Sequence, residues 1–221
     1  MPSMSAGRLE SGHPKTGASQ PQAWLRGKAR LLPNLLVQSP PWVRGVFDNA
    51  WAPMEALARQ SHCLPAPLLD HLLTCSGGSV AISAGGSEYV PGPATIRQQQ
   101  VENVAYVSVQ DLARGNEQPL HVVGHLIDHY LGCDGDLEGS WLSGGGGVIP
   151  SWQQAGERLM RLFSLGYGID EVARSSVRDY FAQSLAIYCQ DRQRLNVADP
   201  QICKWFRSTL WDRGFWRSKP T

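Results

Sequence analysis

Charge is scarce in this sequence and almost evenly split: 18% of the 221 residues are charged, with 20 Lys and Arg against 19 Asp and Glu. An average domain carries roughly 25% charged residues, and a protein built to grip a nucleic-acid backbone normally adds a large basic surplus. No nucleic-acid partner is therefore expected. No apolar run approaches the ~20 residues needed to span a bilayer, so no transmembrane segment is expected either. The opening stretch MPSMSAGRLESGHPKTGASQ holds no apolar core of the kind that marks a secretory leader. Its two basic residues, Arg8 and Lys15, are too few for a transit peptide. The five cysteines (Cys63, Cys75, Cys133, Cys189, Cys203) are odd in number and contain no CxxC pair. That usage favours reduced thiols and a cytoplasmic setting, with room for one bond at most. The glycine run at 139–147 lacks a following GK[ST] and does not join a strand to a helix, which removes a phosphate cradle from consideration.

An apolar fraction of 42% over this length is enough to bury a core without metal or disulfide staples. Residues 1–22, rich in Gly, Ser and Pro, read as a disordered tail; residues 23–221 read as one ordered domain. Helices are expected at 46–61 and at 67–75, where Leu68, Leu69, Leu72 and Leu73 recur at helical spacing. Glycine-flanked alternation predicts a strand at 79–83, and a second alternating run predicts its neighbour at 105–109. A loop containing Pro and Gly joins them. A helix at 119–131 is expected to close at Gly132, and the glycine run after it reads as a mobile rim loop. Three more helices are expected at 151–165 (with Ser151 as N-cap), 176–190 and 199–213. In the last, Ile202, Trp205, Phe206 and Leu210 form the buried side. Early strands followed by mostly helix make the class α+β.

The chemistry concentrates in residues 121–132, HVVGHLIDHYLG. His121 and His125 stand four apart, so on a helix they share a face and can offer two imidazole nitrogens to one metal ion. Leu120, Val123, Ile127 and Leu131 form a separate stripe that buries the helix. Asp128, one turn beyond His125, reads as a carboxylate that orients a ligating imidazole, and His129 as a partly exposed continuation of the histidine row. Further on, Val177, Phe181, Leu185 and Tyr188 make the buried stripe of another helix, leaving Asp179 and Gln183 together on a different face. Asp179 could then complete a site of two histidines and one acid with a fourth position open.

These two segments also carry a resemblance. HVVGHLIDHYLG is similar to the HExGHxxDxYxG zinc helix of the anthrax-toxin lethal-factor-like zincins, a bacterial metallopeptidase family. Residues 179–188, DYFAQSLAIY, resemble that family's E-[FY]-F-A-E-x-[FL]-x-x-Y segment, which supplies the third metal ligand. The helix at 67–75 and the two strands follow the family's order as well. The resemblance implies a zincin-like fold, zinc held by His121, His125 and Asp179, Gln183 beside them, and a cleft that takes a peptide or protein.

Departures from the pattern decide what activity to expect. Val122 stands where the family has its general-base Glu, and valine can neither take nor pass a proton. Val172 stands where a Tyr would steady the oxyanion, although Arg174 keeps the neighbouring basic position; Tyr167 and Tyr180 are the candidate substitutes. Asp179 is one methylene shorter than the family's Glu. Losing base and oxyanion donor together raises the barrier by roughly 5–9 kcal/mol. The leading expectation is thus a degenerate metallopeptidase domain that binds peptide, with zinc. An active peptidase using an unconventional base and a metal-free accessory protein are the alternatives.

Overall fold

The computed structural model describes residues 20–217, so most of the expected tail lies outside the described residues. Its last part does not: Gln20, Pro21 and Gln22 already belong to the first helix, α1 (Gln20–Lys28), where Pro21, Trp24 and Leu25 are buried. Then come β1 (Ala29–Leu31), α2 (Pro41–Val46), α3 (Ala52–Gln60), a 3-10 turn at Ser61–Cys63 and α4 (Ala66–Thr74). Three strands follow: β2 (Ser79–Ser83), β3 (Glu88–Ile96) and β4 (Gln99–Ser108). The remainder is helical, with α5 (Val109–Arg114), α6 (Gln118–Cys133), a 3-10 turn at Leu142–Gly144 and α7 (Pro150–Ser164). The chain continues through α8 (Glu171–Ser175), α9 (Val177–Gln190), α10 (Arg192–Ala198), α11 (Pro200–Ser208) and α12 (Arg213–Arg217). The class is α+β.

The four strands form one sheet in the order β1-β2-β4-β3, with β1, β2 and β4 parallel and β3 antiparallel at one edge. Period-two alternation divides its faces. Val80, Ile82, Ala105 and Val107 join the main core with Val123, Ile127 and Leu131 of α6, while Ala81, Val104 and Ile96 form a smaller cluster on the other side.

Several expectations need correction. The loop expected between the first two strands is half of a hairpin. β3 and β4 are joined by Arg97 and Gln98 alone, both at positive φ (49° and 66°), the conformation of a tight two-residue hairpin turn. β3 carries Pro91 and Pro93, tolerated because it is an edge strand, and its register slips between Val90 and Pro93. The helix expected at 46–61 begins only at Ala52, where Asn49 Oδ1 takes the N–H groups of Trp51 and Ala52 (2.8 and 3.0 Å) and starts α3, while α2 (Pro41–Val46) before it is unexpected. The helix expected at 199–213 stops at Ser208.

Gly132 does not end α6, which runs on to Cys133 and closes at Asp134 with φ 54°. Gly132 is there because a Cβ would lie 2.2 Å from the Leu142 backbone nitrogen. The glycine run, expected as a mobile rim loop, is likewise packed against neighbouring backbone. A Cβ on Gly146 would fall 1.7 Å from the Ser140 carbonyl oxygen, and one on Gly147 would fall 2.0 Å from the Gln153 nitrogen. These glycines permit backbone to pack on backbone. Ser151 is not the cap of α7, which starts from Ile149 and Pro150 without a side-chain cap.

Near the C-terminal end, Ile202, Trp205, Phe206 and Leu210 are buried. Phe215 stacks on Trp152 (5.7 Å), and the Trp152 indole N–H donates to the Phe215 carbonyl at 3.2 Å. The cysteine usage favours the reduced state with room for one bond, and that one bond is present: Cys63 and Cys189 form a disulfide with Cα atoms 5.2 Å apart, tying the first 3-10 turn to the end of α9. No described helix is long and apolar enough to cross a membrane.

Candidate metal centre

Two helices build the centre. His121 and His125 lie one turn apart on α6, and Asp179 lies in the first turn of α9. The N-cap of α9, Ser176, explains how Asp179 is aimed. The Ser176 hydroxyl accepts from the Asp179 N–H at 3.0 Å and donates to Asp179 Oδ2 at 2.5 Å. Ser175 donates to the same oxygen at 2.8 Å. Oδ2 is thereby occupied, and Oδ1 is left to face the histidines.

The helices also cross at unusually close quarters. Gly124, between the two histidines, meets Ala182, between Asp179 and Gln183; a Cβ on Gly124 would sit 2.9 Å from the Ala182 Cα. That approach is what lets a side chain as short as aspartate reach across. The two Nε2 atoms are 3.1 Å apart. Asp179 Oδ1 is 3.6 Å from His121 Nε2 and 3.4 Å from His125 Nε2. A tetrahedral zinc ion with bonds of about 2.0–2.1 Å has ligand-to-ligand edges of about 3.3 Å, so the three separations describe one face of such a tetrahedron. Among the described residues, these three are the group able to hold a metal ion. The Asp179 side chain is 29% exposed, which leaves an outward side open to solvent.

The electrostatics agree with the geometry. Burial, aided by the neighbouring His125, pushes the His121 imidazole down to about 4, so it is neutral at physiological pH. The hydrogen bond from His125, reinforced by Ser176 and Ser175, holds the Asp179 carboxyl well below the usual carboxylate range against the opposing effect of burial. A carboxylate and a neutral imidazole are the forms that metals bind. On its other side, His121 Nδ1 lies 3.0 Å from Gln183 Oε1, and Gln183 Nε2 donates to Asp170 Oδ2 at 2.9 Å. His125 Nδ1 is buried with no hydrogen-bond partner.

Other expected site residues have different duties. Asp128 is wholly buried, and its two oxygens accept from the Ser143 N–H (2.7 Å) and hydroxyl (2.6 Å), so it anchors the glycine-rich segment to α6. Burial pushes its carboxyl up to about 7, despite the Ser143 bonds. His129 is not partly exposed but fully buried. Its Nε2–H donates to the Asp136 carbonyl (2.9 Å) and its Nδ1 accepts from the Tyr89 hydroxyl (2.7 Å), so neither nitrogen is turned to the ligand cluster. Val122 is buried in the core, whereas Val172 is 41% exposed on α8. Tyr180 is no substitute donor, because its buried hydroxyl is committed to Asp199 Oδ2 at 2.6 Å. Tyr167 is half-exposed.

Four residues at the centre were not anticipated. The Tyr89 ring lies parallel to His125 at 6.3 Å, and Trp141 meets the same imidazole edge-on at 6.2 Å. Trp141 stacks on His129 at 4.7 Å, and the Arg178 guanidinium covers it at 3.8 Å. Tyr89 escaped notice with its strand. Asp170, whose Oδ1 caps α8 by accepting from the Ala173 N–H at 2.8 Å, had a legible signal in the helix-starting run DEVA. Two apolar surface hollows of about 450 and 470 Å³ lie elsewhere; they share Ala29, Trp51 and Met54, and none of the three residues of the cluster lines either. Compared with family profiles, with curated proteins and with solved structures, the chain gives no match.

Proposed function

We propose that this protein is a zinc-binding domain of the zincin type, related to the lethal-factor-like metallopeptidases and largely deprived of their catalytic chemistry. The observation that carries the reading is the convergence of His121 Nε2, His125 Nε2 and Asp179 Oδ1 within 3.6 Å of one another. Two nitrogens 3.1 Å apart repel unless a proton or a cation lies between them. Zinc, when bound, would supply Lewis acidity to whatever oxygen occupies the open position.

The protein's own residues supply binding more readily than catalysis. Val122 offers no lone pair at the position where a base would be needed. Tyr89, the tyrosine packed against His125, has its hydroxyl committed to His129. Its ionisation is opposed further by burial. Arg178, exposed next to Asp179 and lying over the buried Trp141 ring, puts a cationic edge beside the outward side of the site, suited to holding a peptide rather than cutting it.

Metal analysis of purified protein dialysed against zinc tests the reading, with His121→Ala as control. About one zinc per chain in the wild type and little in the variant supports it. Equal, negligible content in both would favour the metal-free accessory protein. Zinc-loaded wild type is expected to leave a library of unstructured peptides uncleaved while retaining some of them. Rapid cleavage abolished by His121→Ala would instead establish an active peptidase.

A further inference from the structure

Gln183 is buried, and its amide could in principle face His121 with either end, since oxygen and nitrogen exchange places by a half turn. Asp170 removes that freedom. Its Oδ2 lies 2.9 Å from Gln183 Nε2, and a carboxylate can only accept, so the amide must turn its NH₂ toward Asp170. The amide oxygen is then what faces His121 Nδ1 at 3.0 Å. That oxygen also can only accept, so Nδ1 must carry the hydrogen. A neutral imidazole has a single N–H, which leaves Nε2 bare on the side where His125 and Asp179 converge.

We propose that Asp170 is a positioning residue of the metal centre: acting through Gln183, it holds His121 in the tautomer whose unprotonated Nε2 faces the ligand cluster. Its role in metal binding rests on the zinc reading above, whereas the tautomer is a property of the protein without metal. Both Asp170 oxygens are engaged, Oδ1 by the Ala173 N–H and Oδ2 by Gln183, so the carboxylate is pinned and can impose its polarity on the amide. The polarity thus runs from acid to amide to imidazole across three separate elements: the start of α8, α9 and α6. Partners of this kind typically change metal affinity ~10–100-fold when removed.

The test uses polarity reversal. Asp170→Asn keeps a good helix cap, but with its oxygen on Ala173 it turns an NH₂ toward Gln183. The Gln183 amide must then rotate, present its own NH₂ to His121 Nδ1 and drive the hydrogen onto Nε2. Asp170→Asn/Gln183→Glu supplies a carboxylate at 183 that accepts from both neighbours and restores the original tautomer. The readouts are the ¹⁵N shifts of the His121 ring in metal-free protein and zinc affinity by competition with a chelator. We expect Nδ1–H in the wild type, Nε2–H in Asp170→Asn with zinc affinity lowered ~10-fold or more, and recovery of both in the double variant.

An unchanged tautomer in Asp170→Asn overturns the proposal. So does a double variant that folds, by circular dichroism, without recovering the Nδ1–H form, because a purely structural role for Asp170 would not be rescued by Gln183→Glu. The expected tautomer switch between wild type and Asp170→Asn, in a wild type that takes up no zinc, would sustain the positioning of His121 and refute the metal reading instead.

Discussion

Gly124→Ala is the most informative single substitution, because it acts on the distance between the two ligand-bearing helices without touching a ligand. Two opposing effects set its size. Replacing a mid-helix glycine by alanine favours the helix by about 1 kcal/mol. Against that, the new Cβ would lie 2.9 Å from the Ala182 Cα and 3.1 Å from its Cβ, where carbon atoms normally settle at about 3.5–4.0 Å. The obstacle is backbone, so α9 must retreat by roughly half an ångström or more to restore a normal contact. Overpacking of this kind costs about 1–3 kcal/mol, and the balance is a net loss of up to ~2 kcal/mol. In a domain of this size that lowers Tm by roughly 2–4 °C per kcal/mol.

The second consequence is more specific. Asp179 rides on α9, and its distances to the imidazoles, 3.4 and 3.6 Å, already match or exceed the edge of a zinc tetrahedron. A further retreat puts Oδ1 beyond bonding range of an ion held by the histidines, so zinc affinity should fall by an order of magnitude or more, in the range seen when a ligand's support is removed. Urea melts and zinc titrations on the same preparations measure the two effects together. Gly124→Ala protein that is as stable as wild type and binds zinc equally well would refute the claim that this crossing sets the reach of Asp179.

Three further outcomes follow from other parts of the molecule. The folded-state carboxyl of Asp128 titrates at about 7 because of burial, above the ~3.9 of an unfolded chain. The native state therefore keeps a proton that the unfolded state has lost, and this group's contribution to stability falls as pH rises from about 4 to about 7, by something on the order of 4 kcal/mol. The opposing influences are the Ser143 donors and the charges of His125 and Arg178, so the wild-type curve should be read against Asp128→Asn; parallel curves would contradict the reasoning. Opening the Cys63–Cys189 bond, which closes a loop spanning 126 residues, should cost roughly 4–5 kcal/mol by the loop-closure argument, measured as a drop in urea midpoint for Cys63→Ser/Cys189→Ser. An unchanged midpoint would show that the unfolded chain gains nothing from the release. Replacing Arg97 and Gln98, both at positive φ, with Asn and Gly should stabilise the hairpin by about 1 kcal/mol, seen as a raised melting temperature.

What the sequence disclosed and what it withheld divide along the same physical line. Signals with a short period were legible: the apolar stripes of α6 and α9 at helical spacing, and the alternation of β2. They suffice for the α+β class and for bringing two imidazoles onto one helical face. β3 was hidden because prolines at 91 and 93 interrupt it between Tyr89-Val90 and Thr95-Ile96, and its turn is made of Arg97 and Gln98 in place of Asn-Gly. Tyr89 was hidden with it. The glycine run misled for a related reason: glycine reads as freedom when only its own dihedrals are considered, yet Gly146 and Gly147 are confined by backbone that arrives from Ser140 and Gln153.

Asp128 shows where spacing alone stops being a guide. Three residues beyond His125, it is correctly placed along the helix to serve an imidazole, yet a helix has a circumference as well as a length. The side of α6 on which Asp128 lies is covered by the segment carrying Ser143, which takes both its oxygens. The opposite fate befell Asp170, far from either histidine in sequence and joined to His121 through Gln183. In each case the partner is decided by which segment packs on which side of α6, and that information is carried by close contacts between segments, such as Gly124 on Ala182 of α9 and Gly132 on Leu142 of the 3-10 turn. The candidate ligands of this centre can be nominated from a local pattern, but which groups contact them is fixed by the packing of the fold.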